Sequence, residues 1–501
     1  MIWPDNIFVQ QSDTGLRFAG AKFGIKAGVN SDQSQRICDA LEAVRSDYGR
    51  GTIELPDGVV NIDGPVFMQT RTMLKGQGRM ATQLAVRQDI PAVRFDTSIS
   101  GEAIDRAGLR DLQISYGYPN SHTASDAVIL TPSSIGRIWM PQFENVQVYG
   151  APRDAVRLEG GAENAVVEAY VRNVELSGHK RNGWWESYFT YDSDIYHLYA
   201  DGLNGVAQGY GLTINGGSAT VWHAHCVAHG TNDGSGNYSG GGFRLDCNNS
   251  EFGFCHADRS AGHGFVVGSY GSDPVRTNSN FWGCKGFDSG AFYPGYGANV
   301  RQGANWKIGK IDGFGWYGCQ GGPHGNIANA NGYGMLFEGS TTFATVVGGR
   351  FNSNAVAGLY AQAGVPDQSI MLLGVRPVGN AIDVSGQGKF VPVSSWNMAR
   401  NYFILPTAGI DRTVSGNAIS GNSAQMMVAT GSSAEALAYI NNPDLDAVCV
   451  VRRKMGDTGV LTIKHGTGNI YLKAGADFII DSDYKQVMLA YAQDRSAWIE
   501  V

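Results

Sequence analysis

The side chains best suited to chemistry are concentrated between residues 182 and 290. Asp258 stands three residues after Cys255, Asp288 stands four after Cys284, and Glu251 heads the same phrase as Asp258. Hydrolysis of a glycosidic bond needs a proton donor and a second carboxylate roughly 5 to 9.5 Å away, and these three carboxylates are its candidates. The aspartates also fall in DRSAG and DSG, which are good turn sequences, so turn formation is the competing reading. Elimination on a uronic acid needs a base and a cation that neutralises the sugar carboxylate. Six of the 10 histidines, His197, His223, His225, His229, His256 and His263, lie close together, with Arg259 and Lys285 nearby. His256 is the candidate base and Arg259 the candidate cation. Residues 182–202, NGWWESYFTYDSDIYHLYADG, supply Trp184, Trp185, Tyr188 and Tyr191 around Glu186. Aromatic faces stack on sugar rings, so these five are substrate-binding candidates, with an aromatic lid packed on the scaffold as the alternative.

What positions them is a repeat. HAHCVAHG, FGFCHADRSAG, FWGCKGFDSG and WYGCQGG surround Cys226, Cys255, Cys284 and Cys319, and weaker copies follow at Gly349 and Val375, at intervals of 26 to 35 residues. That is the signature of one structural unit stacked along an axis. Each copy is short, aromatic and bounded by Gly, Asn, Asp and Ser, and none carries a helical apolar stripe, so the units are strands and turns. Stacked coils of parallel strands bury one face of each strand and place equivalent residues in columns about 4.8 Å apart. His223, Phe252, Phe281 and Trp316 read as an interior aromatic column, the cysteines as a second. Val227, His256, Lys285, Gln320, Arg350 and Arg376 read as an outward row. An interior spacing of three predicts a bend between the two buried columns.

The chain has 501 residues, 43% of them hydrophobic and only 17% charged, with 69 Gly and a formal charge of −7. A Gly-rich acidic chain without a basic block is no candidate for nucleic acid. No apolar run is long enough to enter a membrane. The opening MIWPDNIFVQQSDTG lacks the regions of a signal peptide. Seven cysteines without metal-like spacing read as buried reduced thiols, so no metal and no cofactor is expected.

Residues 18–82 hold a Phe-Gly phrase (Lys22 to Gly24), a polar cap (Asn30 to Asp32), and an apolar stripe of Ile37, Leu41 and Val44. A strand and Pro-Asp-Gly turn (Gly51 to Gly58) and Leu-Lys-Gly-x-Gly (Leu74 to Gly78) follow. This order resembles the pectate-lyase-like right-handed parallel β-helix superfamily, and within it the bacteriophage tailspike and capsule depolymerase branch. The resemblance implies an all-β protein: a right-handed parallel β-helix over residues 18–390 with an N-terminal capping helix. Residues 391–424 read as a linker, and residues 425–501 alternate apolar and polar as an antiparallel β-sandwich for trimerisation or carbohydrate binding. The resemblance further implies a homotrimer in a virion tail, acting outside the host cell on a bacterial capsular or exopolysaccharide. Residues 1–17 would dock on another tail protein. Cleavage by hydrolysis is the expectation, with β-elimination and a non-catalytic adhesin as alternatives.

Overall fold

The computed structural model describes residues 15–500 apart from 118–124, 135, 162–163, 204–206, 233–237, 271–272, 290–302, 323–331, 387–388, 398–401, 404–409, 416–417, 421–424, 442–447, 455–456, 483–484 and 493–494. Most of the expected docking peptide, residues 1–14, lies outside the described residues. By its contacts the chain divides into two units: residues 1–369 with 377–386, and residues 370–376 with 387–501.

The first unit is a solenoid of parallel strands, about 12 turns long. One coil runs Tyr210–Asn215, Ala219–Trp222 and His225–Val227, and each strand pairs in parallel with its equivalent in the next coil: Thr213 with Arg244, Val221 with Phe252, Cys226 with Ala257. Each coil therefore contributes to three faces, of which the sheet from Val66–Phe67 to Ile382–Ser385 has 12 strands.

Corners between faces are made by single residues in the left-handed region. Asp111, Asn145, Asn173, His197, His223, Phe254, Gly283, Gly318 and Gly348 form one such column, all at positive φ. Asn and Asp tolerate this conformation best among residues with a side chain. The Asn145 amide donates to Asp111 (2.8 Å), and that of Asn173 donates to Asn145 (3.0 Å). The expected bend is this column: Phe254, Gly283 and Gly318 separate the buried ring from the buried thiol in each coil.

Inside, Val221, Phe252, Phe281, Trp316 and Val346 share one column. Phe252 and Phe281 stack at 4.8 Å, while Phe243, Phe265 and Trp306 stack on the 12-stranded sheet at 4.5 and 4.0 Å. The two stacks meet edge to face, Phe281 against Trp306 at 5.3 Å and 85°, a geometry that adds to area burial. Cys255, Cys284 and Cys319 form the thiol column, the amides of Cys255 and Cys284 each donating to the next sulfur. All seven cysteines are free.

The copy around Cys226 is two residues out of register with the others. His223 is an exposed corner residue rather than a core ring, and Cys226 aligns with Ala257. The interior positions belong to Val221 and Ala224, and His225 replaces Val227 in the outward row with His256, Lys285 and Gln320. The cause is a longer coil that the Cys-to-Cys interval conceals.

Helix Ser34–Tyr48 covers the first coil with Ile37, Ala40, Leu41 and Val44. Its start is held by Asp32, which accepts from the Ser34 amide (3.0 Å) and the Asp63 amide (2.8 Å), rather than by Asn30 or Ser31. Gly49 ends it at φ +70°. The C-terminal unit is a sheet domain, but not a purely antiparallel one. Gln425–Ala429 pairs in parallel with Ile410–Thr413 and Val448–Arg453, whereas Val448–Arg453 pairs antiparallel with Gln486–Ala492. Strands Phe390–Asn397, Ile410–Thr413 and Ala418–Ser420 occupy much of the expected linker. Alternation reports a half-buried strand but not the direction of its neighbour.

Gly318 has φ +63° and open space where a Cβ would stand. Gly318→Ala should therefore lower stability by about 1 to 2 kcal/mol through backbone strain alone. Gly364→Ala, also in open space but without positive φ, should leave the urea midpoint unchanged; equal midpoints for both variants would refute the corner argument.

Candidate functional site

The outer face of the 12-stranded sheet carries a row in which Arg157, Trp185, Thr213, Arg244, Val266 and Lys307 follow one another in register. Above Trp185 to Arg244 this face opens into a cleft of roughly 830 Å³, which also receives Arg181, Tyr188, Tyr210, Asp246, Asp273 and Arg276.

Three of its four arginines are fixed by carboxylates. Arg157 lies over the Trp185 ring at 4.2 Å and meets Glu159 at 2.6 Å. Arg181 is clamped by Asp154, which is fully buried and also accepts from the Asn182 amide (3.0 Å) and side chain (2.9 Å). Burial alone would push Asp154 up, yet the Arg181 guanidinium and these donors hold it below the usual carboxylate range. One coil earlier Asp126 repeats the arrangement with Arg153 and the Asp154 amide, so RDAV (153–156) and RNGW (181–184) are one motif stacked on itself. Arg276 is paired with Asp246, their side chains only 4% and 7% exposed.

Arg276 also reaches the Tyr188 hydroxyl (3.5 Å) and lies over that ring at 5.2 Å. Tyr188 rests on Gly216, where an added Cβ would come within 2.2 Å of the ring. Arg244 differs from the others. It neighbours Tyr210, whose hydroxyl burial pushes up and Arg244 draws back, and no carboxylate among the described residues lies within ion-pair distance of it.

The candidates read from the sequence are thus dispersed. Trp185 and Tyr188 line the cleft. Trp184 and Glu186 do not: strand alternation turns both inward, they are 0% exposed, and the Trp184 indole donates to Glu186 at 2.7 Å. A sugar cannot reach either. Tyr191 is half-buried on a different face, in strand Thr190–Tyr191 beside Val167. Glu251 accepts from Asn280 (2.9 Å) and the Trp282 indole (2.8 Å), and the Phe254 corner separates its strand from that of Asp258. Asp258 lies 3.7 Å from Arg259, while Asp288 is a nearly buried corner residue at φ +51°. His256 is outward, 5.6 Å ring to ring from His225, and burial lowers the pKa of both. None of these five lines the cleft. Arg157, Arg181, Arg244, Arg276 and Tyr210 were missed, although the repeated RDAV and RNGW phrases were a signal.

No protein-family model and no curated protein sequence matches the chain. Among solved structures, the N-terminal fragment of bacteriophage phi29 gene product 12 matches 84% of this chain and 82% of that one, with a TM-score of 0.53 and 10% identity. The fold is the right-handed parallel β-helix. The pre-mature form of the same phage protein matches the β-helix with a TM-score of 0.52 at 10% identity, over 84% of this chain and 65% of that one. The A-module of the mannuronan C-5 epimerase AlgE4 from Azotobacter vinelandii gives 0.45 at 14% identity, over 74% and 96%.

The β-helix also buries charge-changing groups. His179 and His229 are fully buried with their Nε2 atoms 2.8 Å apart. Burial lowers His179 to about 4 and His229 well below its ordinary value. Between pH about 4 and 6.5 the unfolded chain holds protons here that the folded chain does not, so this contribution to stability is lost as pH falls through that window. Glu186, raised from 4.5 to about 7 by burial, runs the other way: its contribution is lost as pH rises through that window. Urea midpoints across this range should lose their acid-side slope in the His179→Leu/His229→Leu variant and their opposing slope in Glu186→Gln; slopes identical to wild type would contradict both assignments.

Proposed function

We propose that this β-helix is a phage tail protein that binds a bacterial surface polysaccharide along its 12-stranded face and cleaves it by β-elimination at a uronate seated in the cleft. The observation that carries this reading is the gathering of three groups at one cleft: Arg244, which has no carboxylate partner among the described residues, the Tyr188 hydroxyl beside a buried arginine, and the Trp185 ring. Elimination removes the proton at C5 of the uronate and breaks the bond from C4 to the linking oxygen. In this reading Arg244 bonds the sugar carboxylate and so acidifies the C5 proton. The Tyr188 oxygen takes that proton and returns it to the departing oxygen, while Trp185 supports a neighbouring ring.

Hydrolysis was the expectation from Asp258, Asp288 and Glu251, but none of these carboxylates lines the cleft that holds Trp185 and Arg244. The acidic residues that do line it are Asp246, engaged by Arg276, and Asp273. The likeness to a bacteriophage protein supports the phage assignment through fold alone.

Incubation with a panel of bacterial capsular polysaccharides should shorten one of them with new ultraviolet absorbance from an unsaturated uronate. Tyr188→Phe should lower that rate by about 10² to 10⁴-fold while binding persists. Shortening without absorbance would replace elimination by hydrolysis, and binding without shortening would leave an adhesin. The homotrimer belongs to the same proposal: light scattering should give a mass near three times 53.6 kDa, and a monomeric mass would remove it.

A further inference from the structure

We propose that the cleft selects a sparsely charged heteropolysaccharide, in which a single carboxylate per repeat meets Arg244, and rejects polymers charged at every sugar. This rests on the polysaccharide reading above and deepens it. Four cations stand in the outward row of the 12-stranded sheet: Arg94, Arg157, Arg244 and Lys307. Three are already neutralised, Arg94 by Asp96 (2.6 Å), Arg157 by Glu159 (2.6 Å) and Lys307 by Glu338 (3.0 Å). Beside the row, Arg181 and Arg276 are held by Asp154 and Asp246. Arg244 is the one cation of the row that, among the described residues, has no carboxylate partner.

Coils rise about 4.8 Å each, close to the advance of one sugar in an extended glycan. Arg157 lies three coils before Arg244, with Trp185 and Thr213 between, and Lys307 lies two coils after it, with Val266 between. A chain lying in the cleft therefore finds one positive charge unmatched among the described residues, Arg244, with the Trp185 ring two coils before it; Thr213 and Val266, its neighbours in the row, are buried. A second carboxylate on an adjacent sugar would find no second unpaired arginine among the described residues of the cleft and would meet the Asp273 carboxylate. A like charge at such a position discriminates against a competing ligand, as good contacts favour the right one.

Binding of the full chain is to be measured against gellan, xanthan and hyaluronan, whose repeats carry isolated uronates, against their carboxyl-reduced forms, and against alginate, polygalacturonate and dextran. The expected result is binding to at least one sparse polymer and weaker binding to its carboxyl-reduced form, to both polyuronates and to dextran. Arg244→Gln should lose about tenfold or more on that polymer, the scale of one charge-assisted hydrogen bond, and nothing on its reduced form, with an unchanged melting curve. Equal binding of a polymer and its reduced form, or preference for alginate or polygalacturonate, would overturn this inference and leave the polysaccharide reading standing. Binding to none of these nor to any polymer of the capsular panel would remove that reading and this one together.

Discussion

Everything in the first unit depends on the axial ladder, in which each strand pairs in parallel with its equivalent one coil away. Once that register is set, a residue's neighbours are the residues in the same position of adjacent coils, whatever their distance along the chain. Phe252, Phe281 and Trp316 touch for this reason. So do the corner residues, where the conformation demanded of Asp111 is demanded again of Asn145, Asn173 and each of their successors. Side chains that can hydrogen-bond along the axis offset part of the strain; glycine avoids it.

The same ladder makes the cleft rigid. Asp126 and Asp154 are buried where an unpaired charge would be prohibitive, and each is matched by an arginine and by a backbone amide of the following coil. The guanidinium groups at the cleft wall are thereby held from behind. Arg276 and Asp246 do the same on the opposite side and hold Tyr188 through the guanidinium. Preorganised charge of this kind costs no rearrangement when a ligand arrives.

How much of this was legible in the sequence follows from what repetition can and cannot encode. The coil, the capping helix and the bend were legible, because Cys255, Cys284 and Cys319 mark the same position in three coils and the stripe Ile37, Leu41 and Val44 has one helical face. The register at Cys226 was not, because a similar phrase outweighed a change in coil length. Trp184 and Glu186 were misplaced because a WWE triplet does not reveal which face is inward; alternation fixes their relation to Trp185, not its sign. The cleft itself was largely hidden. The conspicuous phrase belongs to a different face, while Arg157, Arg244 and Arg276 come from unlike stretches that only the ladder brings together.

Coil length varies, and it varies in the connections rather than in the strands. Along the 12-stranded sheet Trp185 pairs with Thr213, Thr213 with Arg244 and Phe265 with Trp306, yet the lengths of chain that separate these partners are unequal. The register of the paired strands is the same across these unequal lengths. The β-helix thus separates two kinds of inheritance: columns in which a substitution is felt by both neighbours, and loops that can be lengthened, shortened or exchanged as cassettes. A lineage under pressure to meet a changing ligand could remodel such loops while the register beneath them stayed fixed.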